Sequence, residues 1–539
     1  MKVKIENPIL PGFNPDPSII CVGSDYYIAT STFEWFPGVQ IHHSKDLIHW
    51  ELITRPLNSV KLLDMAGESF SDGVWAPCLS YWKGTYYLVY TNVRSSQVYP
   101  FKDTPNYLTT APDITGPWSE PVYLNSSGFD PSMFHDEDGR KWIVNMEWDY
   151  RKKGNEQFSG ILLQEYDEKS KRLIGEVTKI TKGTNISVTE GPHLYKKGGY
   201  YYLMLAEGGT SYQHAVTLMR SKSIDGPYEV HPHNPLLTAW DGGWPYKYED
   251  IDKNVGKTRL KKAGHGSMCQ GADGRWYLVH LCGRPVGNSL FCILGRETAI
   301  QELEWKKDDW CYLKNGGNKP QDYIEVENAS AGKSDTYFQQ EYLFYDDKFL
   351  KDFQTLRTPY NPEYMSIHKR KGFLTLRGRE SIYSRFYQTL LARRQTDFNF
   401  EAVTILEYEP KSFMHMAGLI YRYSEENQYY LFMSYDEDKK SNTINVIQVD
   451  DSRYSLLEQV LTKSTRLELS LCVNGLTGQF YYKEDEEKKK IGPEIETKIL
   501  SDEYAKPMGF TGAFIGMCAQ DLQRQENEAY FEKFIYIKK

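Results

Sequence analysis

The chain has 539 residues, with 64 Lys and Arg against 72 Asp and Glu, a formal charge of −8 that argues against a nucleic-acid-binding surface. At 40% hydrophobic and 25% charged residues it reads as globular rather than disordered or membrane-spanning, and its length asks for two or three domains. The excess is aromatic: 41 Tyr, 24 Phe and 12 Trp, residues that favour strands and whose faces also suit sugars.

The opening residues, Met1 to Pro8, carry no apolar run, so no secretion signal is expected. Nowhere does an apolar run approach the length of a membrane span, so no membrane partner is expected either. The eight cysteines (21, 78, 269, 282, 292, 311, 472, 518) lack the spacing of metal fingers and read as reduced, mostly buried thiols of a cytoplasmic protein.

The first informative stretch is Asn14-Pro15-Asp16-Pro17-Ser18, an Asp fixed between two prolines before the apolar run Ile19-Ile20-Cys21-Val22. One Asp-Pro is an ordinary turn; its recurrence is not. Phe129-Asp130-Pro131-Ser132 repeats the pattern, and Glu190-Gly191-Pro192-His193 places a Glu in a related setting. Five times a Gly-containing turn precedes an aromatic strand, at Gly23, Gly84, Gly139, Gly198-Gly199 and Gly274. Each lies downstream of a short strand opened near residue 16, 75, 130, 190 or 265. That spacing predicts five blades of a β-propeller over residues 1–315, with the five openers converging on the axis.

After Trp310-Cys311-Tyr312 the composition shifts. Residues 316–335 read as a linker, and 336–539 as a β-sandwich of alternating strands such as AGLIYRYS and NQYYLFMSY. The expected fold is therefore all-β, a five-bladed propeller followed by a concanavalin-like or jelly-roll sandwich. Three acids on three strands at the centre of such a ring suit glycosidic bond hydrolysis. That reaction needs one protonated carboxyl to serve the leaving oxygen and one carboxylate to activate water or attack.

NPILPGFNPDPSI, STFEWFPGVQIHHSKDLIHW, GVWAP, FDPSMF, TEGPHLY, GHGS and LGRETAIQ together resemble glycoside hydrolase family 43, in particular its two-domain β-xylosidases. The resemblance spans nearly the whole chain. It implies an inverting hydrolase in which Asp16 is the general base, Glu190 the general acid and Asp130 the carboxylate that tunes that acid. It further implies Phe33 and Trp75 as walls of the sugar pocket, Arg296 as a hydroxyl ligand and Phe514 as an aromatic lent by the sandwich. His265 matches a histidine near the axis that in parts of the family lies beside a divalent cation, often Ca2+. A metal is thus possible at His265, though a lone His is a poor calcium ligand and no cofactor is required.

The activity implied is release of single xyloses from the non-reducing ends of short β-1,4-xylooligosaccharides. The alternative is an α-L-arabinofuranosidase, or both activities. A non-catalytic sugar-binding propeller fits poorly with three retained acids, and the absence of repeated SxDxGxTW boxes disfavours a sialidase. Assembly as a homo-oligomer, a dimer or tetramer, is implied by the resemblance alone.

Overall fold

The computed structural model describes residues 2–96, 100–247, 251–327 and 338–539. Among these, helix is confined to short 3-10 turns, and the other regular elements are all strands. Five antiparallel sheets follow one another in sequence. Blade 1 is Ser18–Val22, Asp25–Thr30, Gln40–Ser44 and Glu51–Thr54, and blade 2 is Gly73–Trp82, Thr85–Val93, Asn106–Ala111 and Val122–Asn125. Blade 3 is Ser132–His135, Lys141–Trp148, Phe158–Asp167 and Arg172–Thr181. Blade 4 is Glu190–Lys197, Tyr200–Glu207, Ala215–Ser221 and the short Glu229–Val230 and Leu237–Thr238. Blade 5 is Lys261–Gln270, Trp276–Gly283, Arg296–Trp305 and Cys311–Leu313. In each blade the first strand faces the first strands of its neighbours, so these five line the axis.

A ring of sheets needs its ends joined. Lys2–Glu6 pairs antiparallel with Tyr323–Glu327, and Asn7 exchanges two 2.8 Å bonds with Ile300 of blade 5, one to its carbonyl and one from its amide. At the axis, the Ile19 amide of blade 1 donates to Ser267 Oγ of blade 5 at 3.1 Å. Of the stretch expected as a linker, 316–335, residues 323–327 are therefore part of a strand pair. Their alternation buries Ile324 and Val326 against the blade 5 to blade 1 seam. Residues 328–337, which include the last residues of that linker and the first residues of the domain expected at 336–539, lie outside the described residues.

The second domain is a concanavalin-like sandwich of two large antiparallel sheets. Its core is the alternate, inward row of each strand, for instance Leu419, Leu431, Leu469, Phe400 and Phe531, all essentially without exposure.

One sheet of the sandwich does not end within its own domain. Its edge strand Phe353–Leu356 pairs with Trp35–Phe36 of the propeller, Thr355 opposite Phe36 and Leu356 opposite Trp35. An exposed sheet edge is a liability, and here the propeller covers it. The Arg357 amide continues the pairing to the Glu34 carbonyl at 2.8 Å. Around this seam lies a buried ionic cluster, in which Arg357 and Arg422 both reach Glu425, at 2.7 and 2.8 Å. Although burial opposes it, these two guanidinium groups hold the Glu425 carboxyl down to about 2. All three of these groups belong to the sandwich, and Arg357 Nε crosses the seam to the Glu68 carbonyl of the propeller at 2.6 Å, so the two domains are joined by backbone pairing and by a buried guanidinium.

Candidate active site

Each blade carries, just before or within its first strand, a residue in the left-handed region: Asp16 (φ 52°), Ala76 (φ 40°), Asp130 (φ 55°), Gly191 (φ 54°) and His265 (φ 46°). Four of the five precede a proline, and His265 precedes Gly266. A non-glycine residue held at positive φ is costly, on the order of 1–3 kcal/mol, and persists where the surroundings over-determine it. The ladders of blades 2, 4 and 5 shift register at these positions. The kink is therefore the repeated device that turns side chains off the strand ladder and into the axis.

This repeat refines the five openers read from the sequence. Asp16, Asp130 and His265 occupy the kinked position, whereas Trp75 and Glu190 stand one residue before it, and Ala76 and Gly191 take their places in the kink. Gly191 has no room for more: a Cβ there would lie 3.0 Å from Ala206 Cβ and 3.1 Å from His265 Nε2. A glycine at this kink lets His265 close in behind Glu190.

Asp16, Asp130, Glu190, Phe33, Trp75, His265 and Arg296 all line one cavity of about 150 Å³, a size that holds a single six-membered ring. Asp16 Oδ2 accepts from Ser31 Oγ at 2.7 Å, and Ser31 Oγ in turn accepts from the Ala76 amide at 2.8 Å, so the blade 1 carboxylate is tied to blade 2. The other oxygen of Asp16 lies 3.5 Å from His265 Nδ1. Asp130 Oδ2 accepts from the Gly191 amide at 3.1 Å, which links the blade 3 carboxyl to the residue after Glu190.

Burial pushes the Glu190 carboxyl up to about 8, with the charge of Asp16 adding to it and Arg296 and Lys102 opposing. Asp130 is also raised, by burial first, then by Glu190 and Asp16, against the Gly191 amide. The sequence suggested that Asp130 helps to keep Glu190 protonated; burial acts first on both carboxyls, and their repulsion means that a charge on one disfavours ionising the other. His265 is lowered by burial and Arg296, with Asp16 opposing, so its ring is neutral at neutral pH. Among the described residues no group of three or more His, Cys, Asp or Glu side chains is placed to hold a metal. One imidazole beside one carboxylate oxygen does not build a calcium cage, which takes six to eight oxygens.

Phe514 does not line the cavity. It is fully buried one layer behind, stacked on Trp35 with centroids 3.7 Å apart and edge-on to Phe13 at 5.9 Å. The residue that reaches the pocket is Phe510, which meets Phe33 at 5.9 Å and Trp75 at 5.6 Å. The reason is local. Phe514 begins a regular strand whose side chains are committed to packing, while Phe510 lies in the irregular segment before it, tied to the propeller by its amide on Ser71 Oγ at 2.9 Å. Phe510→Ala is expected to lower kcat/KM about ten- to a hundredfold through lost apolar contact, with little change in Tm. Phe514→Ala is expected to destabilise by about 3–5 kcal/mol, the usual cost of emptying a core Phe site. Kinetics and thermal melts on the two variants check this, and the reverse pattern would restore Phe514 to the pocket.

Sequence reasoning also missed Lys102, Phe129, Trp148, Phe158, Thr210 and His214, all in the cavity wall. Thr210 Oγ1, His214 Nε2 and Arg296 Nη2 are buried polar atoms without a hydrogen-bond partner among the described residues. Buried polar groups are normally satisfied; three unsatisfied ones around a one-ring cavity are what hydroxyl-bearing ligands fill. Arg296 is aimed by the second domain. Its Nε meets Asp502 Oδ2 at 3.1 Å, its guanidinium lies 4.7 Å over the Phe510 ring, and Asp502 Oδ1 accepts from Tyr423 OH at 2.7 Å. Asp502→Asn is accordingly expected to raise KM about tenfold, the value of a charge-assisted hydrogen bond, with a smaller effect on kcat. A fall in Tm with unchanged KM would make Asp502 structural only.

Comparison with known proteins bears on this geometry. Residues 5–311 match the family described as Glycosyl hydrolases family 43, and residues 342–537 match the Beta xylosidase C-terminal Concanavalin A-like domain. The chain is 48% identical to a xylosidase/arabinosidase 43B of Humicola insolens, over 99% of this chain and 97% of that one. It is 45% identical to a beta-xylosidase of Bacillus subtilis (strain 168), over the full length of both. The crystal structure of a xylan beta-1,4-xylosidase from Bacillus halodurans C-125 superposes with a TM-score of 0.93 at 48% identity, covering 99% of this chain and all of that one.

Proposed function

We infer the reaction from a premise now in place: the chain belongs to glycosyl hydrolase family 43. It is a β-xylosidase, an inverting glycoside hydrolase that removes xylose from the non-reducing ends of xylooligosaccharides. The observation that carries the exo-action is the cavity itself. Its volume of about 150 Å³ takes one ring, and Phe510 from the second domain closes a side that a bare propeller would leave open. A dual action on α-L-arabinofuranosides is the second reading, favoured by a relative named for both activities.

In the scheme we propose, ionised Asp16 removes a proton from a water that attacks the anomeric carbon opposite the leaving group. Glu190, protonated by virtue of its burial and of Asp16, gives its proton to the departing oxygen. Asp130, bonded to the Gly191 amide, fixes the backbone that carries Glu190. Thr210, His214 and Arg296 hold sugar hydroxyls, and the negative charge of Asp16 favours the oxocarbenium-like transition state. No step of this scheme uses a metal; a cation beside His265 would stand largely in water. We further place the action in the cytoplasm, on short oligosaccharides, which suits eight free thiols, most of them buried. Assembly as a homo-oligomer is part of the same proposal.

The test is the anomer first released. Proton NMR of a β-xyloside digest is expected to show α-xylose before mutarotation. Initial β-xylose would overturn the roles given to Asp16 and its water.

A further inference from the structure

A second cavity, of about 820 Å³, opens in the cleft between propeller and sandwich, away from the three carboxyls. Arg55 of the propeller and Arg393 and Arg394 of the sandwich line it. Among the described residues, every hydrogen-bond partner of these three guanidinium groups is neutral. Arg394 donates to Asn14 Oδ1 at 3.1 Å and to Gln40 Oε1 and Gln354 Oε1, both at 2.6 Å. Arg55 donates to the carbonyls of Leu350 and Lys351, both at 2.9 Å, and to Gln40 Oε1 at 3.1 Å. Arg393 donates to Gln340 Oε1 at 2.5 Å and Tyr342 OH at 2.9 Å. The Nε of each is buried and has no partner among the described residues.

Other cations of the cleft are matched, Lys351 by Glu51 at 2.5 Å, Lys538 by Asp397 at 3.0 Å and Arg284 by Glu297 at 2.6 Å. That leaves Asp352, itself accepting from Tyr342 OH at 2.7 Å, as the carboxylate facing three arginines. The wall also reports the local field. His42, only 7% exposed and with Nδ1 unpartnered, is pushed down to about 3 by burial and by Arg394, Arg55 and Lys351. Burial likewise lowers Arg55 and Arg394 themselves, to about 10 and about 9.

Buried charge is costly unless it is paired. Three guanidinium groups, Arg393 buried and Arg55 and Arg394 half-buried, that reach a roomy cleft from two domains with neutral partners and a buried, unpartnered Nε each have the composition of an anion site. We propose that this cleft binds a small oxyanion, a carboxylate or phosphate group, between Arg55, Arg393 and Arg394. A ligand there bridges the domains and stabilises their docked arrangement by binding the folded state alone.

The experiment is calorimetric titration of the full chain with inorganic phosphate and, separately, with glucuronate, at ionic strength fixed with chloride. Saturable binding of at least one probe is expected, unchanged when xylose saturates the catalytic cavity, and the tighter of the two names the source of the oxyanion. Arg394→Gln and Arg55→Gln keep neutral hydrogen bonding and are each expected to weaken it tenfold or more, the value of one charge-assisted bond. Absence of binding by both probes, or unchanged affinity in both variants, overturns the proposal. So does a phosphate-insensitive protein whose oligomer falls apart in sedimentation when either arginine is replaced, because a second copy then fills the cleft.

Discussion

Asp16→Asn is expected to lower turnover of every xyloside by roughly 10²–10⁴-fold, whatever the leaving group, because activation of the attacking water is common to all of them. Asn is the side chain best suited to the position, since it tolerates the left-handed φ of 52° and can still accept from Ser31 Oγ. The fold should therefore survive and the loss report chemistry. Measurement of kcat/KM on an aryl xyloside and on xylobiose, together with a thermal melt, checks this. Retention of activity within a few-fold on either substrate would remove Asp16 from the role of base.

Glu190→Gln should behave differently. Xylobiose, whose leaving alkoxide needs a proton, is expected to lose roughly 10²–10⁴-fold, while an activated aryl xyloside loses little. The pH profile follows from the same group. An acid held at about 8 is almost fully protonated a unit or more below that value, so the wild-type rate on xylobiose should fall towards tenfold per unit as pH rises beyond it. The variant's rate on the activated substrate should lack that limb. Stability moves in a related way. The folded-state value is raised, so the contribution of this carboxyl is full below its unfolded value near 4.5 and is lost as pH rises towards 8. The Tm advantage of Glu190→Gln over wild type should thus grow between those limits and level off above them. Equal leaving-group dependence in the Asp16 and Glu190 variants would mean that the two roles are wrongly divided.

The cleft arginines and the Asp502–Arg296 pair share a physical feature. In both, a charge on one domain is completed, or left incomplete, by the other. Function in this chain consequently depends on domain docking, and the strand Trp35–Phe36, shared between propeller and sandwich, is the backbone element that sets it.

Blade number, the three carboxyls and the sandwich were legible in the sequence because each rests on short-range pattern. Period-two alternation, a Gly turn between aromatic strands and an Asp held before Pro are set within a few residues. A propeller then repeats those local units in order, so the five openers converge without further information. What the sequence left open arises from contacts between residues hundreds of positions apart. That Glu190 stands one residue before its kink while Asp16 stands in its own depends on Gly191 yielding space to His265. The family resemblance pointed to Phe514 by its position in GAFIG, but a place at the start of a strand says only that a side chain is buried, not against what. Phe510, in a segment with no period at all, carried no such signal, and Asp502 was one acid among many. Their places were decided by the docking of two separately patterned domains, and no local rule encodes which irregular loop crosses an interface and which strand stays behind it.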